Sequence, residues 1–436
     1  MTDLLTQLLQ KIDEPAAKYA ELERYYTGTQ PLAFLSPEAK TALGDRFGRM
    51  ASNLPRLAVT SLAERLRVTG FTGVDIWGDW LRNDLDQESG VAHREAMLLG
   101  QGYVIVWADR MGRPLVTVES AKQMSCLRDP GTRRITHALK RWETDTTTEA
   151  VLYGPDEIVR YRAQQTGATT GGFRVVESIV NPLGVPPVVR LLNSDRILDE
   201  GVSEIEDLRP LCDALNKILA DLMVSSEYVG RPRRWATGIE LEETDVLDEE
   251  GLPTGETEAA NPYPEGNRMM VAEEPAAKFG QLDAADLGGY SNAVDVILSQ
   301  IAAVSALPAH YLGIMHDNPA SADALRASEA SLTARAEARQ KQFGRSWEDV
   351  ARLIIAVRDG VDPLNVDVRV NWADAATRSI AQEADGVTKL FAAGLLPASY
   401  ALKRLGYSDD EIAEIRTARR TEALDTAGVD LKAIAS

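Results

Sequence analysis

The chain has 436 residues, 44% hydrophobic and 26% charged, and 66 Asp and Glu against 47 Lys and Arg give a formal net charge of −19. That length allows about two to four domains with cores of their own. The acidic balance argues against a protein that grips nucleic acid through phosphate contacts, which calls for a basic surface. No run approaches the roughly 18 unbroken apolar residues of a membrane span. The start, MTDLLTQLLQKIDE, lacks the basic and apolar blocks of a secretory signal and reads as an amphipathic helix. Cys126 and Cys212 without a CxxC make no disulfide framework, which suits a reducing cytoplasm.

From residue 3 to about 89 the pattern is helical, in LLTQLLQKI, YAELERYYTG and PRLAVTSLAERLRV. Leu54, Leu57, Ala58, Ser61, Leu62, Arg65 and Leu66 keep the three-and-four spacing of one buried face. Trp77 and Trp80 open a short further helix. Near residue 100 the period changes to short β-rich segments: GYVIVW, PLVTVES, ITHALKRW, TEAVLYG, EIVRYR and FRVVESIV. Close turns between them predict an antiparallel meander. NPLGVPPVVRL at 181–191 reads as a proline-punctuated linker.

A long helix is expected over 203–228, opened by a Ser203–Glu206 capping box and bent or restarted by Pro210. Residues 231–268, basic at first and then strongly acidic, with prolines and glycines, cannot build a large core and read as an exposed lobe. A helix over about 285–304 follows, so that the lobe is inserted between two helices able to pair. After LPAHYLGIMHDN, residues 319–359 predict one very long helix with Asn318 as cap, Pro319 in the first turn and a kink at Gly344. Its apolar stripe is Leu325, Leu332, Phe343, Trp347, Val350, Ile354 and Val357. The strand VDVRVNW and a helical C-terminal region complete the chain.

No catalytic chemistry stands out. There is no GxxxxGK[ST], and Gly100-Gln101-Gly102 lacks the third glycine of a dinucleotide fingerprint. His93-Arg94-Glu95 has the HxE of zinc deaminases without their PCxxC and reads as a pair on a helix surface. His310 and His316, with Asp317 adjacent, fall short of the three or four converging ligands of a metal site. Arg231, Arg233 and Arg234 with Trp235 form the compact basic-aromatic cluster of the sequence. They either touch DNA phosphate or neutralise the acids of the lobe and cap the preceding helix.

The order of segments resembles the portal protein family of siphovirus-type tailed phages. The resemblance rests on YYTGTQPL…FLSPEAKTALGDRFGRMASNLPRLAVTSLAERLRVTGF, HREAMLLGQGYVIVWADRMGRPLVTVES and GVSEIEDLRPLCDALNKILADLMVSSEYVGRPRRWATG. The most specific run is LPAHYLGIMHDNPASADALRASEASLTARAEARQKQFGRSWEDVARL. Together these span about residues 18–420. The resemblance implies an α+β portal fold, mainly helical, with an antiparallel β wing region, paired stem helices and an inserted clip lobe. Its division would be 1–200 wing, 201–230 first stem helix, 231–270 clip, 271–304 second stem helix and 305–318 tunnel loop. A long kinked helix with a wing strand (319–372) and a small helical crown (373–436) would follow.

The implied function is a ring of about twelve copies at one capsid vertex, assembled in the host cytoplasm, that passes double-stranded DNA non-specifically. The implied partners are the terminase large subunit, a head–tail adaptor and a major capsid or scaffolding protein. No membrane, cofactor, metal or catalytic residue is implied. His310, Tyr311, Met315, His316, Asp317 and Asn318 would form the tunnel loop, where too few cations are present to hold phosphate. The alternatives are an enzyme with an unrecognised site or another head–tail connector component.

Overall fold

The computed structural model describes residues 2–34, 51–230, 234–238, 242–247, 253–260, 276–281, 287–314, 322–376 and 380–426. The chain opens with helices α1 (Thr2–Asp13), α2 (Ala16–Thr27) and α3 (Leu54–Ala63). Strand β1 (Val68–Thr72) follows, then helices α4 (Trp77–Arg82) and α5 (Leu85–Leu99). The expected helix through Val68 therefore stops at Ala63. VTGFT pairs instead, antiparallel, with the late strand β14 (Arg369–Trp372).

The β-rich region forms two antiparallel sheets rather than one meander. Strands β2 (Gln101–Ala108) and β3 (Pro114–Ser120) make a hairpin joined by β9 (Val188–Leu192), in the order β3-β2-β9. Strands β4 (Met124–Arg128), β5 (Ile135–Glu143), β6 (Thr148–Tyr153), β7 (Glu157–Ala163) and β8 (Arg174–Val180) form a five-stranded meander in sequence order. The supposed linker at 181–191 thus holds a buried strand. Pro186 and Pro187 precede it, and Val188 to Leu191 are buried, as a strand covered on both faces requires.

Amphipathic α1 covers one face of the five-stranded sheet, burying Leu5, Leu8, Leu9 and Ile12 against Leu139, Leu152, Val159 and Tyr161. Each such side chain contributes roughly 1.5–3 kcal/mol when fully buried.

Helix α6 (Arg209–Gly230) begins six residues later than the capping pattern predicts. The Ser203 hydroxyl accepts from the Ile205 N–H, and Glu206 turns to Lys18 and Arg209, so the reciprocal box does not form. Pro210 then occupies the first turn, where its missing N–H costs nothing. The segment 271–304 is also not all helix. β10 (Arg234–Thr237) pairs with β13 (Lys278–Gln281), and β11 (Glu242–Leu247) pairs with β12 (Pro253–Ala260). Helix α7 runs only from Gly288 to Ser305. Gly280 lies in β13, and Gly288 and Gly289, poor helix formers, stand at the helix start, where they cost least.

Helix α8 (Ala322–Asp359) is continuous through Gly344. Its proposed cap, Asn318-Pro319, lies outside the described residues. Glycine at 344 serves close approach: a Cβ there would meet Val370 Cγ1 at 3.1 Å and Trp372 Nε1 at 3.2 Å. Leu332, Phe343, Trp347, Val350 and Ile354 are buried in the largest core, against α5, β2 and β14, while Leu325 is exposed. The C-terminal helices are α9 (Ile380–Ala392), α10 (Ala398–Arg404) and α11 (Asp409–Thr426).

Candidate functional site

The feature that organises the molecule is the antiparallel pair α6–α7. At one end Cys212, Leu215, Ile301 and Leu307 close a core with Ala58 and Leu208. At the other, the hydroxyls of Ser225 and Tyr290 are 3.0 Å apart, next to the β10–β13 ladder. Between the two helices the described residues form the antiparallel pairs β10–β13 and β11–β12. Trp235 is 43% exposed on β10. Arg231, Arg233 and the side chain of Arg234 lie outside the described residues.

Where α7 ends, the chain turns through Ala306, at φ +58, into a 3₁₀ turn over Ala309–Leu312 closed by Gly313. Of the six proposed loop residues, His310 and Tyr311 are described; Met315, His316, Asp317 and Asn318 fall outside. Both described residues are tied back to the protein. Arg65 donates to the Tyr311 hydroxyl at 3.3 Å and to Glu329 at 3.1 Å, and its other nitrogen reaches the Ala375 carbonyl at 2.7 Å. His310 Nε2 lies 3.7 Å from Glu329 Oε1. Arg335 on α8 donates to the Ser305 and Val304 carbonyls at 3.0 and 3.1 Å, capping the end of α7. Glu204, buried beside it, is 3.7 Å from Arg335 and 2.7 Å from Arg339, which also holds Asp195 at 2.6 Å.

These nodes fix the base of the stalk and of the turn that follows it. Sequence reasoning missed them all, because Arg65, Glu204, Glu329, Arg335 and Arg339 pair across 131 to 264 positions and leave no local pattern.

His93 is not on a surface. It is fully buried, stacked on Phe343 with ring centroids 5.4 Å apart, and its Nε2 accepts from Trp347 Nε1 at 2.7 Å. Burial lowers its pKa to about 3, from an ordinary value near 6.5. The folded chain therefore refuses a proton that the unfolded chain accepts below pH 6.5. Stability is unaffected above that pH and falls progressively below it, until about pH 3. Between pH 7 and pH 5 this group alone costs about 2 kcal/mol. Urea unfolding at the two pH values should show that loss shrinking by this amount in His93→Gln; an identical loss in both proteins would contradict the assignment.

Among the described residues no group of three or more His, Cys, Asp or Glu is placed to hold a metal ion. No helix among them is long and apolar enough to cross a membrane. Burial pushes the Cys212 thiol up to about 12, so it is a packing group rather than a nucleophile.

A chain of the solved structure titled "Virion of native gene transfer agent (GTA) particle" superposes with a TM-score of 0.48 at 15% identity, over 89% of this chain and 93% of that one. The portal protein of Mycobacterium phage D29 is 33% identical over 401 residues, which cover 85% of this chain and 79% of the relative. The portal protein of Mycobacterium phage L5 is 32% identical over 396 residues, 85% of this chain and 78% of the relative. The family model described as "Phage portal protein, SPP1 Gp6-like" matches residues 6–424, nearly the whole chain that carries the α6–lobe–α7 arrangement. By that match and by its relatives the chain belongs to the phage portal protein family, whose members form the ring at the capsid vertex.

Proposed function

We propose that about twelve copies close a ring whose channel conducts double-stranded DNA during packaging and ejection, without nucleotide turnover of its own. In this reading residues 1–200 are the wing, 201–230 and 271–304 contain the stem helices, and 231–270 form the clip. The long helix and its strand (319–372) support them, and 373–436 form a small crown. The clip receives the terminase large subunit and later the head–tail adaptor; capsid or scaffolding protein surrounds the ring, which assembles in the host cytoplasm.

The observation that carries the reading is that the strand pairs β10–β13 and β11–β12 lie in the chain between two antiparallel helices. Helix α7 adds chemical support. Over its 18 residues Asp295 is the single formal charge, and Val296, Ser299, Ala303 and Val304 are exposed beside it. Such a face has no cation with which to hold phosphate, so DNA slides past it. Residues 305–318, with His310, Tyr311, Met315, His316, Asp317 and Asn318, form the narrowest ring, and Arg231, Arg233, Arg234 and Trp235 mark the entry to the clip.

Deleting residues 240–262 should leave ring-sized particles while abolishing DNA packaging in a terminase-driven assay. Unchanged packaging would contradict the clip assignment.

A further inference from the structure

The five-stranded sheet has two unlike edges. At β4, helix α1 covers the strand: the Ser125 hydroxyl donates to the Leu8 carbonyl at 2.7 Å and Lys11 Nζ to the Cys126 carbonyl at 3.4 Å. At the other edge β8 pairs, among the described residues, with β7 alone, and all seven of its residues are exposed. Its sequence, Arg-Val-Val-Glu-Ser-Ile-Val, has strong β-propensity and neither proline nor lysine, and Val180 is 80% exposed. An edge of that kind is a template for another chain unless something covers it. Arg174 stands directly across from Arg162, a like-charge pair. Glu149 holds Arg162 at 2.5 Å, whereas no carboxylate among the described residues lies within ion-pair reach of Arg174.

Residues 194–200 form a loop beside the opposite edge, where Arg128, the last residue of β4, meets Glu200 at 3.4 Å. Its base is locked. Gly100 and Gly201, at φ +86 and +119, cross so closely that a Cβ on Gly100 would sit 2.6 Å from the Gly201 carbonyl carbon. The Asn193 N–H donates to the Gly100 carbonyl at 2.9 Å, Gln342 donates to the Ser194 carbonyl at 2.7 Å, and Arg339 holds Asp195. From this fixed base Ile197 and Leu198 stand 70% and 91% exposed. Asp199, next to them, has no cationic partner among the described residues. A rigid base that holds two aliphatic side chains in water leaves their burial free energy unrealised until something covers them.

A ring contact is head-to-tail and joins two different, separated surfaces of the subunit. The loop and β8 meet that condition, since four strand spacings, roughly 19 Å, separate β4 from β8. We propose that Ile197 and Leu198 of one copy cover β8 of the next, with Asp199 against Arg174. The contact rests on the portal-ring reading and adds to it one of the surfaces by which the ring closes.

Two double variants test it: Leu198→Cys with Val176→Cys, and Leu198→Cys with Ile179→Cys. Cys126 and Cys212 are buried and do not interfere. Mild oxidation of assembled rings should give, from at least one pair, a ladder of covalent multimers that single variants lack. Asp199→Arg should reduce the fraction assembled at fixed concentration about tenfold, and adding Arg174→Asp should restore it. Rings of normal mass that yield no ladder from either pair, with Asp199→Arg assembling normally, would overturn the contact and leave the portal reading standing. An unaltered chain that forms no ring would overturn both.

Discussion

Trp347→Ala should lower the stability of the folded subunit by about 3–5 kcal/mol, read as a shift in the urea midpoint of the unassembled chain. The indole is fully buried at the crossing of α8 with α4 and α5, with its ring centroid 5.1 Å from that of Trp80 in an edge contact. Truncation opens a cavity among rings that cannot collapse, because Trp80 is itself braced by Phe71 and Trp77. It also strips the donor from His93 and leaves a buried acceptor unpaired, a penalty of about 1–3 kcal/mol. Trp347→Phe separates the two effects: it keeps most of the volume and should show chiefly the second. A Trp347→Phe chain as stable as the unaltered one would contradict the hydrogen-bond account.

Arg339→Ala should destabilise the subunit by about 3–5 kcal/mol as well, for an electrostatic reason. Its guanidinium is buried and donates to Glu204 at 2.8 Å, to Asp195 at 2.6 Å and to Gln342 at 3.1 Å. Hydrogen bonding from Arg339 holds the Asp195 carboxyl below its usual range. Removing the cation leaves Glu204 buried with Arg335 as its remaining ion-pair partner, and that same Arg335 caps the end of α7. The loss should therefore spread. Hydrogen exchange should quicken at residues 193–204 and again at 304–312. Arg339→Met combined with Glu204→Leu removes both charges and should recover most of the stability. If the double variant is no better than Arg339→Ala, the cost lies in packing and not in the stranded carboxylate.

Which parts of this fold could be read in advance follows from the range of the forces involved. Helices with a clean apolar stripe were legible: α1, with Leu5, Leu8, Leu9 and Ile12, and α8 from Leu332 to Ile354. Strands that depend on distant partners were not. VTGFT becomes β1 only because Arg369–Trp372 arrives some 300 residues later, and MSCLR, short and carrying Ser and Cys, has too little pattern to announce β4. Val188–Leu192 was hidden by the two prolines before it. His93 looked like a surface residue because an HRE triplet on a helix usually is one; its partner Trp347 lies 254 positions away.

The α6–α7 stalk, as the scaffold of the candidate site, was visible from its order around the lobe. The arginine–carboxylate nodes that anchor it were invisible, since ion pairing between distant positions leaves no periodicity. Of the loop residues singled out, His310 and Tyr311 turn back onto Glu329 and Arg65, a placement that only the packed chain reveals.

The most direct measurement is electron cryomicroscopy of the purified chain, with the channel radius followed along the ring axis. A closed ring with an open central hole is predicted, its wall built from α6 and α7 and its narrowest level formed by residues 305–318. Particles without a central hole, or a chain that stays monomeric under conditions where it is folded, would contradict it.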